Sequence, residues 1–307
     1  MHTILNRTKA TLILLIVSFS LGFQACNGSS DSDSLDDEIA MDLRIVAAKD
    51  VPEMPLNNLI QTIPSPIEMA SLIKKTGGEF NQNLLNSTDH IHKYNTSLQQ
   101  AFNIGIYSAD LGYINIYEKT FSAMEYIGAI KSLSDEIKVG QFFDFETLKN
   151  LAASSKNVDS LLYISINSFN KMDEYLRKQK RGELSVLIVS GAWLEGLHIA
   201  CQVAKTNPNE QMNERIGEQK IVLNNILLTL YLYKKNDYFV RLAEDFQKLK
   251  TIYDGVTITY MDAEPGTKEV NGQLVIVDNS TSKINMTKQQ LNEIISTVNT
   301  IRNKLVN

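Results

Sequence analysis

The sequence predicts a mainly helical domain, with paired antiparallel helices in a bundle or a short α-solenoid and a small β-hairpin before the last helix. Proline is rare in the long middle of the chain, where only Pro208 falls between Glu68 and Tyr253. Apolar residues recur there at spacings of three and four, as on a buried helix face. After Gly255 the pattern changes to clusters of β-forming residues.

Capping and stop signals delimit the predicted helices. Ser65 can cap the first one, Pro66 suits its first position, and two glycines at 77 and 78 stop it. A short helix is predicted near residues 82–87. Either one bent helix or two helices should then cover residues 93–111 and 113–137. Further helices are predicted in "FDFETLKNLAASS", "NVDSLLYISINSFNKMDEYLRKQK", "GELSVLIVSGAWLEGLHIACQVAKT", "NERIGEQKIVLNNILLTLYLYKK" and "DYFVRLAEDFQKLKTIYDG".

Two segments have patterns of their own. Residues 221–233 are almost wholly apolar but too short to span a membrane, which predicts a central core helix. "VTITYMD" and "QLVIVDN" predict the strands of a hairpin at 256–278, with "AEPGTKEVNG" as its loop. Thr287 is the expected cap of the closing helix.

The first 25 residues have the parts of a secretory signal: basic Arg7 and Lys9, an apolar run over 11–23, and a small residue before Cys26. The ending "FQAC" resembles the lipobox of bacterial lipoproteins in a relaxed form. That resemblance implies that Cys26 is acylated and becomes the new N-terminus. An ordinary signal peptide with an incidental cysteine is the alternative, because the residues at 23 and 24 depart from the strict lipobox.

The composition of the rest of the chain predicts two segments and argues against one class of partner. Residues 26–48 are rich in Ser and Asp, which predicts an acidic tether, and residues 49–307 are predicted to form a single helical domain. Removal of residues 1–25 would leave 28 basic and 35 acidic residues, a formal charge of −7. This charge argues against binding to nucleic acid. The predicted location is the outer membrane, on either its periplasmic or its surface face.

Chemical motifs in the helical region are few. Glu195 and His198 have the i, i+3 spacing of di-iron bundles, but such sites need the motif twice and the sequence has no second Glu-x-x-His. We interpret the two residues as a buried polar pair and predict no metal and no cofactor. Cys201, in an apolar stretch, is interpreted as a small core residue. No catalytic motif was found, and no catalytic residue is predicted.

Tyrosines and one acid form a stripe along the helix "YSADLGYINIY". Such a stripe is mainly core, but it can also line a cleft for a polar ligand. The candidate ligand-binding residues are Tyr107, Asp110, Tyr113, Tyr117, Trp193, Glu195 and His198. "GIYSADLG" and "GAWLEGLH" both place a glycine, an aromatic residue and an acid in this order, a weak internal similarity. In "STDHIHKY", Ser87 or Asp89 is expected to cap a helix.

Several segments resemble a family of uncharacterised Bacteroidota lipoproteins. They are "IPSPIE", "NIGIYSADLGYINIYEKT", "SGAWLEGLHIA" and "ITYMD…INMTKQQLNEIISTVNTIRN". The resemblance implies a secreted, lipid-anchored helical domain with a small β element and carries no known activity. Two functions are therefore considered. The first is a binding or scaffolding module for an envelope protein or glycan, and the second is a ligand-capturing or enzymatic domain with a cleft near Tyr107, Asp110, Trp193 and Glu195.

Overall fold

The computed structural model describes residues 66–153, 158–261, 266–270, 273–277 and 281–307. The predicted signal, Cys26, the tether and the Ser65 cap lie outside them. The described part of the chain is mainly helical. Its α-helices are α1 (Pro66–Lys75), α2 (Ser97–Ile116), α3 (Thr120–Glu136), α4 (Phe145–Ala153), α5 (Val158–Lys178), α6 (Gly182–Thr206), α7 (Glu210–Tyr231), α8 (Asp237–Asp254) and α9 (Lys288–Val306). Its strands are β1 (Thr257–Met261), β2 (Gly266–Val270), β3 (Gln273–Val277) and β4 (Thr281–Asn285).

The centre of the fold is the crossing of α2 and α6, two helices far apart in the sequence. A Cβ atom added to Gly105 would lie 2.0 Å from the carbonyl oxygen of Ile188, and one added to Gly191 would lie 2.0 Å from that of Phe102. The two backbones therefore touch, which only glycine permits. Because this largest interface joins non-sequential helices, the architecture is a bundle and not a solenoid.

The other helices surround this pair. Helix α6 also packs against α1, α5, α7 and α9, α3 packs on α2, and α8 packs between α7 and α9. By length and composition α6 is apolar enough to cross a membrane, but 83% of its apolar window is buried inside the bundle. Among the described residues it is thus a core helix. The segment predicted as a core helix at 221–233 is buried at Val222, Leu223 and Ile226, but it belongs to α7, which packs beside the central pair and ends at Tyr231.

Several helix boundaries follow local signals. Thr287 caps α9 in a capping box with Gln290, as predicted, and Thr96 and Gln99 form a second one at α2. Of the two alternatives predicted for 93–137, two separate helices are present, but the break lies at 117–119 and not near residue 112, because α2 runs unbroken to Ile116. The chain turns after it at Glu118, whose φ of 58° is left-handed. The stop predicted at 182 lies instead at Lys180, also at positive φ, and residue 182 begins α6.

The β element before α9 is present, but its pairing differs from the predicted hairpin. Strand β1 pairs with β4, from Thr257 opposite Asn285 to Met261 opposite Thr281. Strand β2 lies within the predicted loop and pairs with β3, the second predicted strand. The chain thus forms two successive antiparallel ladders. The hairpin is longer than the sequence indicated because "GTKEV" is itself a strand.

The base of the hairpin is fixed to the helical body. Ile284 of β4 lies over Gly217 of α7, where an added Cβ would come within 2.4 Å of its side chain. Lys220 donates a hydrogen bond to the carbonyl of Val256 at 3.0 Å, and Gln290 donates one to that of Gly255 at 2.6 Å. Among the described elements, α7 is the helix that packs most closely on a strand.

Candidate functional site

Residues 76–96, which we call the connector, join α1 to α2 and contain two short 3₁₀-helices, at Gln82–Leu84 and Thr88–Lys93. The second is capped by the Ser87 hydroxyl, which accepts a hydrogen bond from the Asp89 amide, as expected from the sequence. Parts of the connector are buried, Asn86 being 1% exposed. Its main chain therefore needs hydrogen-bond partners from the protein itself.

Tyrosine hydroxyls supply these partners. Tyr107 donates to the carbonyl of residue 87 at 2.8 Å, and Tyr126 to that of residue 86 at 2.8 Å. Tyr113 donates to the carbonyl of residue 79 at 3.1 Å, and Tyr117 to that of residue 78. The tyrosines of the stripe therefore hold the connector to α2, and Tyr126 holds it to α3.

A buried ion pair lies beneath the connector. Arg302 of α9 donates from Nε and Nη2 to the two carboxylate oxygens of Glu195 on α6, at 2.8 and 2.7 Å. Glu195 is fully buried and Arg302 is 7% exposed. The bidentate geometry is the strongest form of such a pair, and it joins the closing helix to the central one.

Asp110 of α2 is a second buried carboxyl group beside this pair. Its Oδ2 atom accepts a hydrogen bond from the Asn86 amide at 3.2 Å, while its Oδ1 atom has no donor. Burial, and next the negative charge of Glu195, raise the pKa of Asp110 well above its usual range, and Arg302 only partly opposes this. Asp110 therefore lies beside Glu195 with a raised pKa, which favours the neutral form of its carboxyl group.

Two further side chains complete this polar cluster. Burial lowers the pKa of His198, against the opposing charge of Glu195, so the imidazole is neutral at pH 7. Its Nδ1 atom is buried and has no hydrogen-bond partner. Tyr94 accepts a hydrogen bond from Asn86 Nδ2 at 3.0 Å and donates one to the carbonyl of Val306 at 3.1 Å, which ties the connector to α9.

The structure thus brings together most of the candidate residues. Those adjoining the connector or the cluster are Tyr107, Asp110, Tyr113, Tyr117, Glu195 and His198. Trp193 points elsewhere: it donates to Gln219 at 3.0 Å and packs edge-on against Phe246. Except for the half-buried Tyr117, all seven are at most 5% exposed, so they form no open cleft.

The geometry offers little to a metal or a nucleophile. In the described residues no group of three or more His, Cys, Asp or Glu side chains is arranged to hold a metal ion. Glu195 is paired with Arg302, in keeping with the interpretation of Glu195 and His198 as buried polar residues. Cys201 is fully buried, and burial raises the pKa of its thiol, so it packs as a core residue.

Sequence reasoning missed four members of the cluster, namely Asn86, Tyr94, Tyr126 and Arg302. Only Arg302 had a signal. It falls seven residues after Ile295 and four after Val298, on the buried face of α9. A charged residue on an apolar stripe predicts a buried partner, but the pattern does not identify which acid that is.

A separate groove of about 420 Å³ lies between the end of α7 and α8. Tyr231, Phe239 and Val240 line it, together with Lys234 and Glu244 at its polar side. None of the candidate residues reaches it. Comparison of the chain with models of protein families, with curated proteins and with solved structures found no match.

Proposed function

We propose that this chain is a binding module of the cell envelope, tethered to the outer membrane by lipid on Cys26, that contacts a partner protein through its β-hairpin. The anchor is supported by the order of features in residues 1–26: basic residues, a short apolar run and a small residue before the cysteine. The binding role is supported by the exposed hairpin.

The exposed β1–β4 ladder is the observation that carries this proposal. Four of the five residues of β1 are exposed, among them Tyr260 at 58% and Met261 at 48%. A two-stranded ladder leaves the outer edge of each strand with unpaired main-chain groups. An extended segment of a partner protein can join such an edge as a third strand. Tyrosine and methionine are also residue types enriched at protein contacts.

The anchored base favours binding. Ile284, Lys220 and Gln290 hold the start and end of the hairpin against α7 and α9, so the orientation of β1 is set before any partner arrives. A preorganised edge loses less conformational entropy on binding. The predicted tether at 26–48 would also hold the module at high local concentration near envelope partners.

The experiment is site-specific photo-crosslinking in the native cells. A crosslinker at position 260 or 261 should capture one envelope protein. The matched control is Tyr163 of α5, which is 69% exposed but lies on the helical body and should give no such product. Replacement of residues 262–280 by Asn-Gly should abolish the product. Equal crosslinking from position 163, or an unchanged product after the replacement, would show that the hairpin is not the contact element.

The anchor has its own test. Intact mass spectrometry of the mature protein should find an acylated Cys26 as the first residue. The Cys26→Ala variant should no longer be recovered in the membrane fraction. An unmodified cysteine, or retention of Cys26→Ala in the membrane, would contradict the anchor without touching the proposal about the hairpin.

A ligand-capturing or enzymatic domain is the second candidate. The raised pKa of Asp110 beside Glu195 favours it, because titratable groups with displaced pKa values concentrate at functional sites. Their complete burial counts against it. Native mass spectrometry of protein extracted from its own membrane separates the two candidates. A retained small molecule favours ligand capture, and a retained protein subunit favours the hairpin.

A further inference from the structure

We propose that Asp110 and Glu195 share one proton, carried on Asp110 Oδ1, and that this proton latches the connector onto the helical body. Loss of the proton would release residues 84–87 from the underlying cluster. The latch is independent of the function proposed above, since it concerns only the bundle and the connector.

The geometry assigns the position of the proton. Asp110 Oδ2 already accepts the Asn86 amide, whereas Oδ1 is buried and receives no donor. Both oxygens of Glu195 accept from Arg302, so the single positive charge is fully engaged by one carboxylate. A second carboxylate at this place would be buried without a counter-charge, which is costly. A proton on Oδ1 removes that charge and gives this unpartnered atom a hydrogen to donate toward Glu195.

The connector is the element that this proton would control. Its Asn86 amide rests on Asp110, and its Leu84 carbonyl accepts a 3.4 Å hydrogen bond from Arg302 Nη2. The Asn86 side chain binds Tyr94, and its Oδ1 lies 2.9 Å from His90 Nδ1. If Asp110 became charged, water would have to reach it, and the connector is the element whose main chain is hydrogen-bonded to it.

Other titratable groups face the cluster from every element around it. They are Tyr107 from α2, Tyr126 from α3, His198 from α6, Arg302 from α9, and His90 and Tyr94 from the connector. The pKa values of both histidines are lowered, so their protonation at acid pH favours opening of the connector. This effect is opposite in sign to that of the Asp110 proton, which favours closure. The tyrosine pKa values are raised, so these groups stay neutral below their usual range near 10.

The sign of the effect follows from the raised pKa of Asp110. The closed connector holds the proton and the open one releases it, so closure is strongest at low pH and weakens as the pH rises through the range between the two pKa values. One proton changes the opening constant by about tenfold per pH unit at most. Between about pH 7 and about pH 9 the histidines and tyrosines stay neutral, so in this range the effect of Asp110 can be measured without theirs.

Hydrogen exchange of connector amides over that window is the main test, after correction for the intrinsic effect of pH on exchange. In the native sequence, opening should increase with pH toward the tenfold limit. In Asp110→Asn it should be independent of pH, because the amide reproduces both hydrogen bonds of the neutral acid without a titrating proton. Tyr126→Phe is the matched control: it loses one connector hydrogen bond and should open more at every pH with the slope retained.

Infrared spectroscopy tests the proton itself. The native protein should show the carbonyl stretch of a protonated carboxylic acid at pH 7, and Asp110→Asn should lack this band. The proposal is overturned by a missing band, by a connector whose opening does not depend on pH, or by an unchanged slope in Asp110→Asn. Failure of Asp110→Asn to fold would also overturn it, since a neutral Asp110 predicts that asparagine is tolerated.

Discussion

Glu195 and Arg302 show how much a single buried charge depends on its partner. Each is surrounded by protein, and their bidentate contact compensates for the loss of hydration. Asp110 lies beside them but has no cation of its own. At the scale of single residues, therefore, Glu195 has a bidentate cationic partner, whereas burial and the charge of Glu195 raise the pKa of its neighbour Asp110.

Glu195→Gln should destabilise the fold strongly. The substitution keeps the shape of the side chain but removes the carboxylate that pairs with the buried Arg302 guanidinium, and breaking a buried pair typically costs about 3–5 kcal/mol. Urea denaturation at pH 7 measures the change in the free energy of unfolding. The matched control is Glu174→Gln, which breaks an exposed pair with Lys178 and should leave stability unchanged. Equal effects of the two variants would mean that the buried pair contributes no more to the free energy of unfolding than the exposed pair does.

Asp245 predicts a different dependence on pH. Burial alone would raise the pKa of Asp245, but hydrogen bonds from Lys248 and from Lys304 of α9 outweigh this and lower it. A lowered pKa stabilises the fold above the usual carboxyl pKa, and this contribution is lost as the pH falls through the folded value.

Asp245→Asn should therefore be less stable than the native protein at neutral pH, with the difference shrinking below about pH 4. Thermal unfolding as a function of pH provides the measurement. Asp135→Asn, which removes a half-exposed partner of Lys131, serves as the control. A difference for Asp245→Asn that stays constant down to low pH would contradict the assignment.

At the scale of elements, the contact between α2 and α6 is set by two glycines. Gly191→Ala places a methyl group against the backbone of Phe102, which can move only with its helix. We expect a loss of about 3 kcal/mol or more. Gly128→Ala is the control, because nothing lies within 4 Å of the added carbon on the exposed face of α3.

The control should gain about 0.5–1 kcal/mol, since alanine favours a helix over glycine. Chemical denaturation of both variants measures the difference. A small effect of Gly191→Ala would mean that the two helices separate easily, contrary to the packing described above.

The sequence predicted the helices better than their contacts. Capping residues and apolar spacing are local, so α6 and the start of α9 were placed correctly. The break between α2 and α3 lies a few residues later than expected, because Gly112 is buried inside α2, where packing outweighs its low helix propensity. The weak similarity between "GIYSADLG" and "GAWLEGLH" marks the crossing itself: Gly105 and Gly191 touch the opposite helix, and Asp110 meets Glu195.

At the scale of the whole molecule, the bundle and the outer part of the hairpin should be separable. Met261 and Thr281 are cross-strand partners, so replacing residues 262–280 by Asn-Gly closes the β1–β4 ladder with a two-residue turn. Strands β2 and β3 pair with each other and pack closely on none of the described helices. The free energy of unfolding of the bundle should change by less than about 0.5 kcal/mol. Denaturation followed by Trp193 fluorescence measures this, and a large loss would show that the outer hairpin supports the fold.

The sequence by itself determined the fold class, the positions of most helices and the presence of a β element before α9, because periodicity, capping and β-propensity are properties of neighbouring residues. Only the tertiary structure decided that the tyrosine stripe holds a buried connector, that Trp193 lies apart from it, and that Asp110 and Glu195 meet Arg302. Arg302 alone contacts Glu195, 107 positions away, and the carbonyl of Leu84, 218 positions away. Burial, and with it the charge state of a carboxyl group, depends on such distant neighbours, so no local pattern in the chain could specify it.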